Sequence, residues 1–302
     1  MWKDELLQLF LDRNIKFCEF ADLSRLNSMR IGGRALVLVE PSDEAQLVFV
    51  LRAARDLGAP VRIVGGMTNT LVPDGIFHGV LVRTARIDWA EFTENKEVYA
   101  GCGASLSSIV LGAADRGIGG FSELVGIPGT LGGALYGNAG AHELSISDTV
   151  DEVRVYDVLE DRRKVLTVRD IGYGYRDSLF KRECRYAILS ARLRGFAADK
   201  DELKAKMSQY TRIRKQRQPL SMPSLGSIFK HPEGDFAPRL IESLGLKGFR
   251  VGGAEISEFH AGFIVNKGDA TASDVMELIK MIKKKVTDTY GIDLEEEINY
   301  LV

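Results

Sequence analysis

Three places in this sequence carry side chains that could do chemistry. Arg176 follows Tyr175 in the polar stretch YGYRDSLF, residues 173–180. An arginine grips a carboxylate through two parallel hydrogen bonds better than any other side chain; the competing reading is a solvated or ion-paired surface residue. Ser227 lies between Gly226 and Ile228, with no adjacent His or Lys to activate it as a nucleophile. In a dry site of fixed geometry its hydroxyl could still give a proton to a carbanion; otherwise it is an ordinary turn serine. Glu295, Glu296 and Glu297 form the third place. In extended chain Glu295 and Glu297 share one face, and Glu296 shares the other with Leu294 and Ile298, so either Glu295 or Glu297 could reach a cleft. The four histidines, His78, His142, His231 and His260, have no metal-binding spacing.

Two glycine-rich stretches could hold what those groups act on. The first, Gly117 to Ala141, reads GIGGFSELVGIPGTLGGALYGNAGA, with Glu123 its one charge and no amphipathic period. Glycine at this density points to left-handed turns, or to backbone pressed against something that leaves no room for a Cβ. It reads as a wall of main-chain N–H groups facing a flat or phosphorylated ligand. The second, GGMTNTLVPDG from Gly65 to Gly75, combines free N–H groups with hydroxyl and amide donors, a phosphate-cradling composition. It is no Rossmann fingerprint, because Pro73-Asp74-Gly75 forbids an immediate helix, and no P-loop, because it lacks a Lys-Ser/Thr pair. The pattern favours a dinucleotide held by loops, against the alternative of a polar turn.

The elements around these residues follow from periodicity. A short helix is expected over residues 2–14 and a strand over 35–39. A helix capped by Ser42 and ended by Gly58 leads to a strand at 61–64, which makes a β-α-β unit with parallel strands. Strands are expected at 80–83 and 97–100, a helix from Ser105 to Arg116, and half-buried strands at 152–158, 164–168 and 186–196. Residues 199–219 read as a surface helix into a second domain, and 239–249 as a short helix. A Gly-flanked, strand-like segment follows, then a helix capped by Ser273 and stopped by Gly291. The closing IDLEEEINYLV is expected to be a strand.

The 302 residues are 45% hydrophobic and 27% charged, the make-up of a soluble globular protein of one or two domains. A net charge of −2 gives no long-range attraction to nucleic acid or to an anionic membrane. Cys18, Cys102 and Cys184 are scattered and odd in number, which suits a reducing compartment. Acids in MWKDELLQLF argue against a signal peptide, and no apolar run reaches membrane-spanning length. A cytoplasmic protein is expected.

The order of the motifs resembles the UDP-N-acetylenolpyruvylglucosamine reductase family. The matching pieces are NSMRIGG, VGGMTNTLV, GIPGTLGGALYGNAGA, YGYRDSLF, RQPLSMPSLGSIFKHP, LIESLGLKGFRVGGAEIS, HAGFIVNKGDA and LEEEI, running from Asn27 to Ile298. The length resembles the family's second structural type. The resemblance implies an α+β fold: an FAD-binding module of the vanillyl-alcohol-oxidase kind over residues 1–197 (subdomains about 1–84 and 85–197), and a C-terminal substrate domain over 198–302. It implies non-covalent FAD, with Gly65, Gly66, Met67, Thr68, Asn69 and Thr70 at the pyrophosphate. Gly126, Ile127, Gly129, Thr130, Gly132, Gly133, Asn138, Ala139 and Gly140 would take the rest of FAD. NADPH is the implied hydride donor and the enolpyruvyl ether of UDP-N-acetylglucosamine the acceptor. Arg176 would hold the substrate carboxylate, Ser227 would protonate carbon-2, and Glu297 would help polarise the carboxylate. Tyr175, Arg217, Lys230 and His231 would line the UDP-sugar cleft. Small molecules are the implied partners, with no nucleic acid or membrane, and a monomer is expected.

Several positions depart from the family pattern. Met67 and Thr68 stand where the phosphate loop has Gly and Ser, His231 where Asn follows GS-x-FK, Gly262 where H-A-N-F has Asn, and Gly137 where Met precedes Asn138. Two alternatives stay open: another FAD-dependent oxidoreductase of the same fold, or a catalytically silent nucleotide-sugar-binding paralogue.

Overall fold

The computed structural model describes residues 2–302. The chain forms two compact units: residues 2–19, 37–66 and 79–213, and residues 20–36, 67–78 and 214–302. No helix of the described residues is long and apolar enough to cross a membrane.

The first unit is built on a five-stranded antiparallel sheet in the order Arg162–Thr167, Val150–Asp157, Tyr186–Arg194, Glu97–Gly101, Ala90–Phe92. Alternation along Tyr186–Arg194 puts Ala187, Leu189, Ala191 and Leu193 into the core. The helix Leu106–Asp115 covers it with Ile109, Val110 and Ala113, and begins where the Ser105 hydroxyl accepts the Ser108 N–H. The helix Glu44–Asp56 is capped by Asp43, which accepts from Gln46 N, not by Ser42 as expected; Gln46 Oε1 in turn accepts Ser42 N. The Asp43 carboxylate takes the free Gln46 N–H of the first turn, and Gln46 holds the residue before the cap, which displaces the serine by one position. The two strands of the expected β-α-β unit are not neighbours: Ile76–Arg83 lies between Arg34–Glu40 and Val61–Val64 in the sheet order and is the parallel partner of Val61–Val64.

The wall is less irregular than its composition implied. It contains a helix, Leu131–Gly137, capped by Thr130 Oγ1 on Gly133 N and ended by left-handed Asn138 at φ 45. Glycines inside a helix cost about 1 kcal/mol each; burial of Leu131, Ala134 and Leu135 offsets that.

The second unit has a four-stranded antiparallel sheet, Ser224–Ser227, Phe263–Asn266, Ala254–Ile256, Arg250–Val251. The helices Ala237–Ser243 and Ala272–Tyr290 supply Leu240, Ile241, Val275, Leu278, Ile279 and Ile282 to its core. Thr271, not Ser273, caps the last helix, in a capping box with Asp274. Ser273 is engaged instead by Asp74, whose carboxylate also takes Ala272 N. The C-terminal stretch is a strand only at Asn299–Tyr300, parallel to Thr70–Leu71. Leu294 and Ile298 are buried four residues apart, while Glu296 is drawn to Lys283 and Tyr300, so simple alternation fails there.

Candidate active site

In the first unit the two glycine-rich stretches meet. A Cβ on Gly65 would run into Thr130 Oγ1, so only glycine lets the second stretch lie on the cap of the wall helix. Gly126 and Gly129 have φ of 75 and 116, and Gly129 O accepts Leu106 N. Other wall glycines answer to the protein itself: Gly132 lies against Cys102, whose carbonyl takes its N–H, and Gly140 against Leu144 and Ser145. Ile127 N bonds Leu124 O, and Ala139 N bonds Ala134 O. Burial pushes the Cys102 thiol up to about 12, so it stays protonated beneath the wall.

Arg176 stands on the same wall. Gly174 and Asp177 pair across a tight turn, with Arg176 left-handed at φ 54. Its guanidinium gives one N–H to Asn138 O (3.2 Å) and another to Gly140 O (2.7 Å), while Tyr175 lies 5.3 Å beneath the charge. Asn138 closes the arrangement by donating Nδ2 to Gly174 O at 2.8 Å. The sequence names Tyr173 only as a motif member; its hydroxyl is buried without a partner, and burial raises its pKa.

The loop from Gly65 to Thr70 is divided after Gly66, and Met67, Thr68, Asn69 and Thr70 belong to the second unit. Met67 is 3% exposed and left-handed at φ 48, the conformation that suits the family's glycine. Ser28 N and Oγ reach Met67 O and Thr68 O, which ties NSMRIGG to the loop.

The second unit also brings Ser227, Lys230 and the acids together. An extra residue on the Ser224–Ser227 strand, with Gly226 at φ 81, makes a bulge against Phe263 and Val265, a device that re-aims the next side chain. Ile228 O then accepts Glu297 N at 2.8 Å, Phe229 bridges Glu296, and Lys230 N donates to Glu295 O. Lys230 Nζ pairs with the Glu295 carboxylate. His231 is exposed and packs edge-on against Phe236. Gly262 has no room for a side chain, since a Cβ would lie 2.9 Å from Pro238 and 3.1 Å from His260. Burial holds His260 below its usual pKa, and its Nδ1 accepts Gly262 N. Arg217 ends its helix in solvent. Arg214, which sequence reasoning passed over, is half-buried with its charge disfavoured by burial and no carboxylate paired to it among the described residues.

Residues 218–301 match the family described as UDP-N-acetylenolpyruvoylglucosamine reductase, C-terminal domain, and residues 35–162 match an FAD binding domain. The UDP-N-acetylenolpyruvoylglucosamine reductase of Thermotoga sp. strain RQ2 is 43% identical over 282 residues, 92% of this chain and 91% of that protein. The crystal structure of the reductase from Thermus caldophilus superposes with a TM-score of 0.79 at 30% identity, covering 95% of this chain and 99% of its own. A solvent-stable cholesterol oxidase shares the fold over 61% of this chain and 38% of its own, with a TM-score of 0.51 at 19% identity.

Proposed function

The chain belongs to the UDP-N-acetylenolpyruvoylglucosamine reductase family, and we propose that it reduces UDP-N-acetyl-enolpyruvylglucosamine to UDP-N-acetylmuramate with NADPH, for peptidoglycan precursor synthesis in the cytoplasm. The fold is α+β, with an FAD-binding module of the vanillyl-alcohol-oxidase kind, and FAD is the cofactor. The fit of Gly65 against Thr130, which only glycine permits, supports one cradle made from both glycine-rich stretches. Gly65 to Thr70 would hold the pyrophosphate without a covalent tether, and residues 126–140 the remainder. Residues 1–197 would form the FAD-binding part and 198–302 the substrate part, in a monomer.

The chemistry FAD supplies when bound is hydride transfer, taken from NADPH and delivered to carbon-3 of the enol ether. That addition leaves negative charge at carbon-2, spread into the carboxylate. Arg176 would hold the carboxylate with a guanidinium whose plane the Asn138 and Gly140 carbonyls fix. Stabilising charge that develops only in the transition state is what lowers the barrier. Ser227 would give its proton to carbon-2, and Glu297 would help polarise the carboxylate. Tyr175, Lys230 and His231 would line the sugar-nucleotide cleft, and half-buried Arg214 is a better diphosphate ligand than exposed Arg217, because a desolvated cation gains more from an anion.

The observation that carries this reading is the hydrogen bond from Glu297 N to Ile228 O, which sets the proposed acid on the chain segment next to the proposed proton donor. Following NADPH consumption with and without the enolpyruvyl UDP-sugar tests it. Turnover that appears only with the UDP-sugar, with UDP-N-acetylmuramate as product, is expected; substrate-independent consumption overturns the assignment.

A further inference from the structure

Asn69 sits in the loop read as a phosphate cradle, yet its hydrogen bonds run to the acid-bearing C-terminal segment. Its Nδ2 donates to Glu297 O at 3.2 Å. Its own carbonyl accepts Asn299 N at 2.9 Å and Asn299 Nδ2 at 3.3 Å. Two residues on, Leu71 O accepts Leu301 N at 3.0 Å, within the parallel pairing of Thr70–Leu71 with Asn299–Tyr300. On the other side Glu297 N is held by Ile228 O at 2.8 Å. Both main-chain polar groups of Glu297 are thus occupied, one by the segment that carries Ser227 and one by Asn69.

We propose that Asn69 is a positioning residue for Glu297, and that the pair Asn69–Asn299 forms a clamp tying the cofactor loop to the segment that carries the acid. The proposal rests on the role assigned above to Glu297. An asparagine that served phosphate alone would have no reason to turn its amide to a carbonyl separated from it by 228 residues in the chain. The arrangement also gives the loop a second use. A loop with Met67 in a left-handed conformation is anchored by Ser28 on one side and by Asn299 on the other, so whatever orders it also orders residues 297–301. Displacing a reacting group by about 1 Å can cost a hundredfold in rate.

The test uses the full-length FAD-loaded protein with Asn69→Ala, with Asn299→Ala as a second variant that cuts the clamp from the other side should the first fold poorly. Amide hydrogen exchange across residues 297–301 is expected to quicken about tenfold, the scale of one lost hydrogen bond, while Ile264 and Val265 in the sheet stay protected. In rapid mixing, reoxidation of the reduced flavin by the enolpyruvyl UDP-sugar is expected to slow ten- to a hundredfold, by a larger factor than reduction by NADPH. In a Glu297→Gln background the Asn69→Ala loss should vanish, because both substitutions then act on one group. Equal losses in the two half-reactions with unchanged exchange overturn the proposal and leave Asn69 to the cofactor alone; additive losses in the double variant overturn it as well. A wild-type protein that NADPH reduces but the UDP-sugar does not reoxidise refutes the proposed reaction instead, and exchange alone then decides the clamp.

Discussion

Arg176 crowns a left-handed turn and gives N–H groups to the carbonyls of Asn138 and Gly140, whereas the main-chain N–H and C=O of Glu297 are taken by Ile228 and Asn69. In the first region the side chain proposed for chemistry also holds the structure. In the second the main-chain groups of Glu297 are held, by Ile228 and by Asn69. Of the three proposed catalytic residues only Arg176 has positive φ; Ser227 and Glu297 do not.

Arg176→Ala breaks that comparison most severely. Reoxidation of flavin by the UDP-sugar should fall about a thousandfold, the scale of a lost oxyanion stabiliser. The thermal midpoint should drop too, because two wall carbonyls lose their donor. Arg176→Lys should recover little of the rate, since an ammonium cannot span both carbonyls and a carboxylate. A variant of wild-type stability would show that the guanidinium does not tie the wall.

Ser227→Ala comes next, with reoxidation slowed at least about a hundredfold and reduction by NADPH nearly preserved. Stopped-flow measurement of both half-reactions checks it; matching losses would mean the serine supports the bulge and not the proton transfer.

Glu297→Gln should slow reoxidation by roughly a hundredfold, with reduction by NADPH largely preserved. Glu295→Gln should cost far less rate. It loses the Lys230 pair, but Glu295 is 70% exposed, which limits the stability loss to about 1 kcal/mol or less. A larger rate defect at Glu295 would reverse the assignment of the two acids.

A comparison of Gly with Ala isolates the strain. At Arg176 the Gly variant should be the more stable by about 1 kcal/mol, because φ is positive there. At Ser227, in a strand, the order should reverse by about 0.5–1 kcal/mol. Urea unfolding of the four variants reads both differences.

The smallest expected effect is a pH dependence confined to the second region. Burial depresses the pKa of His260 in the folded state, with the Lys247 and His231 charges acting the same way. Its contribution to stability is therefore complete above its unfolded value, about 6.5, and is lost as pH falls toward the lower folded value. The unfolding free energy should decline on that acid side, and His260→Gln should remove that part of the slope.

Much of this molecule is written locally in its sequence. The helix Leu106–Asp115 with its Ser105 cap, the stop at Gly291, four of the five strands of the five-stranded sheet (all but Ala90–Phe92) and the special character of both glycine-rich stretches rest on residues close in the chain, where capping, periodicity and φ preference act. The ordered motifs named the family, and Arg176, Ser227 and Glu297 with it, as residues to test. Local signals misled where two of them competed, as at Ser42 against Asp43 and Ser273 against Thr271. They also misled where packing outweighed propensity, as in the helix hidden among the wall's glycines.

Tertiary structure alone decided how these pieces are joined. Sequence could place Glu295 and Glu297 on one face but could not tell them apart. The difference lies in Lys230, which pairs with Glu295 across 65 residues, and in Asn69, which reaches Glu297 across 228. It likewise gave Asn69 to a phosphate and Arg176 to a carboxylate without showing that each is also bonded to the protein's own carbonyls. The reason is physical. Propensities and caps act within a turn or two of chain, whereas strand register and the partner of a buried amide depend on which distant backbone groups are brought alongside once the cores have closed.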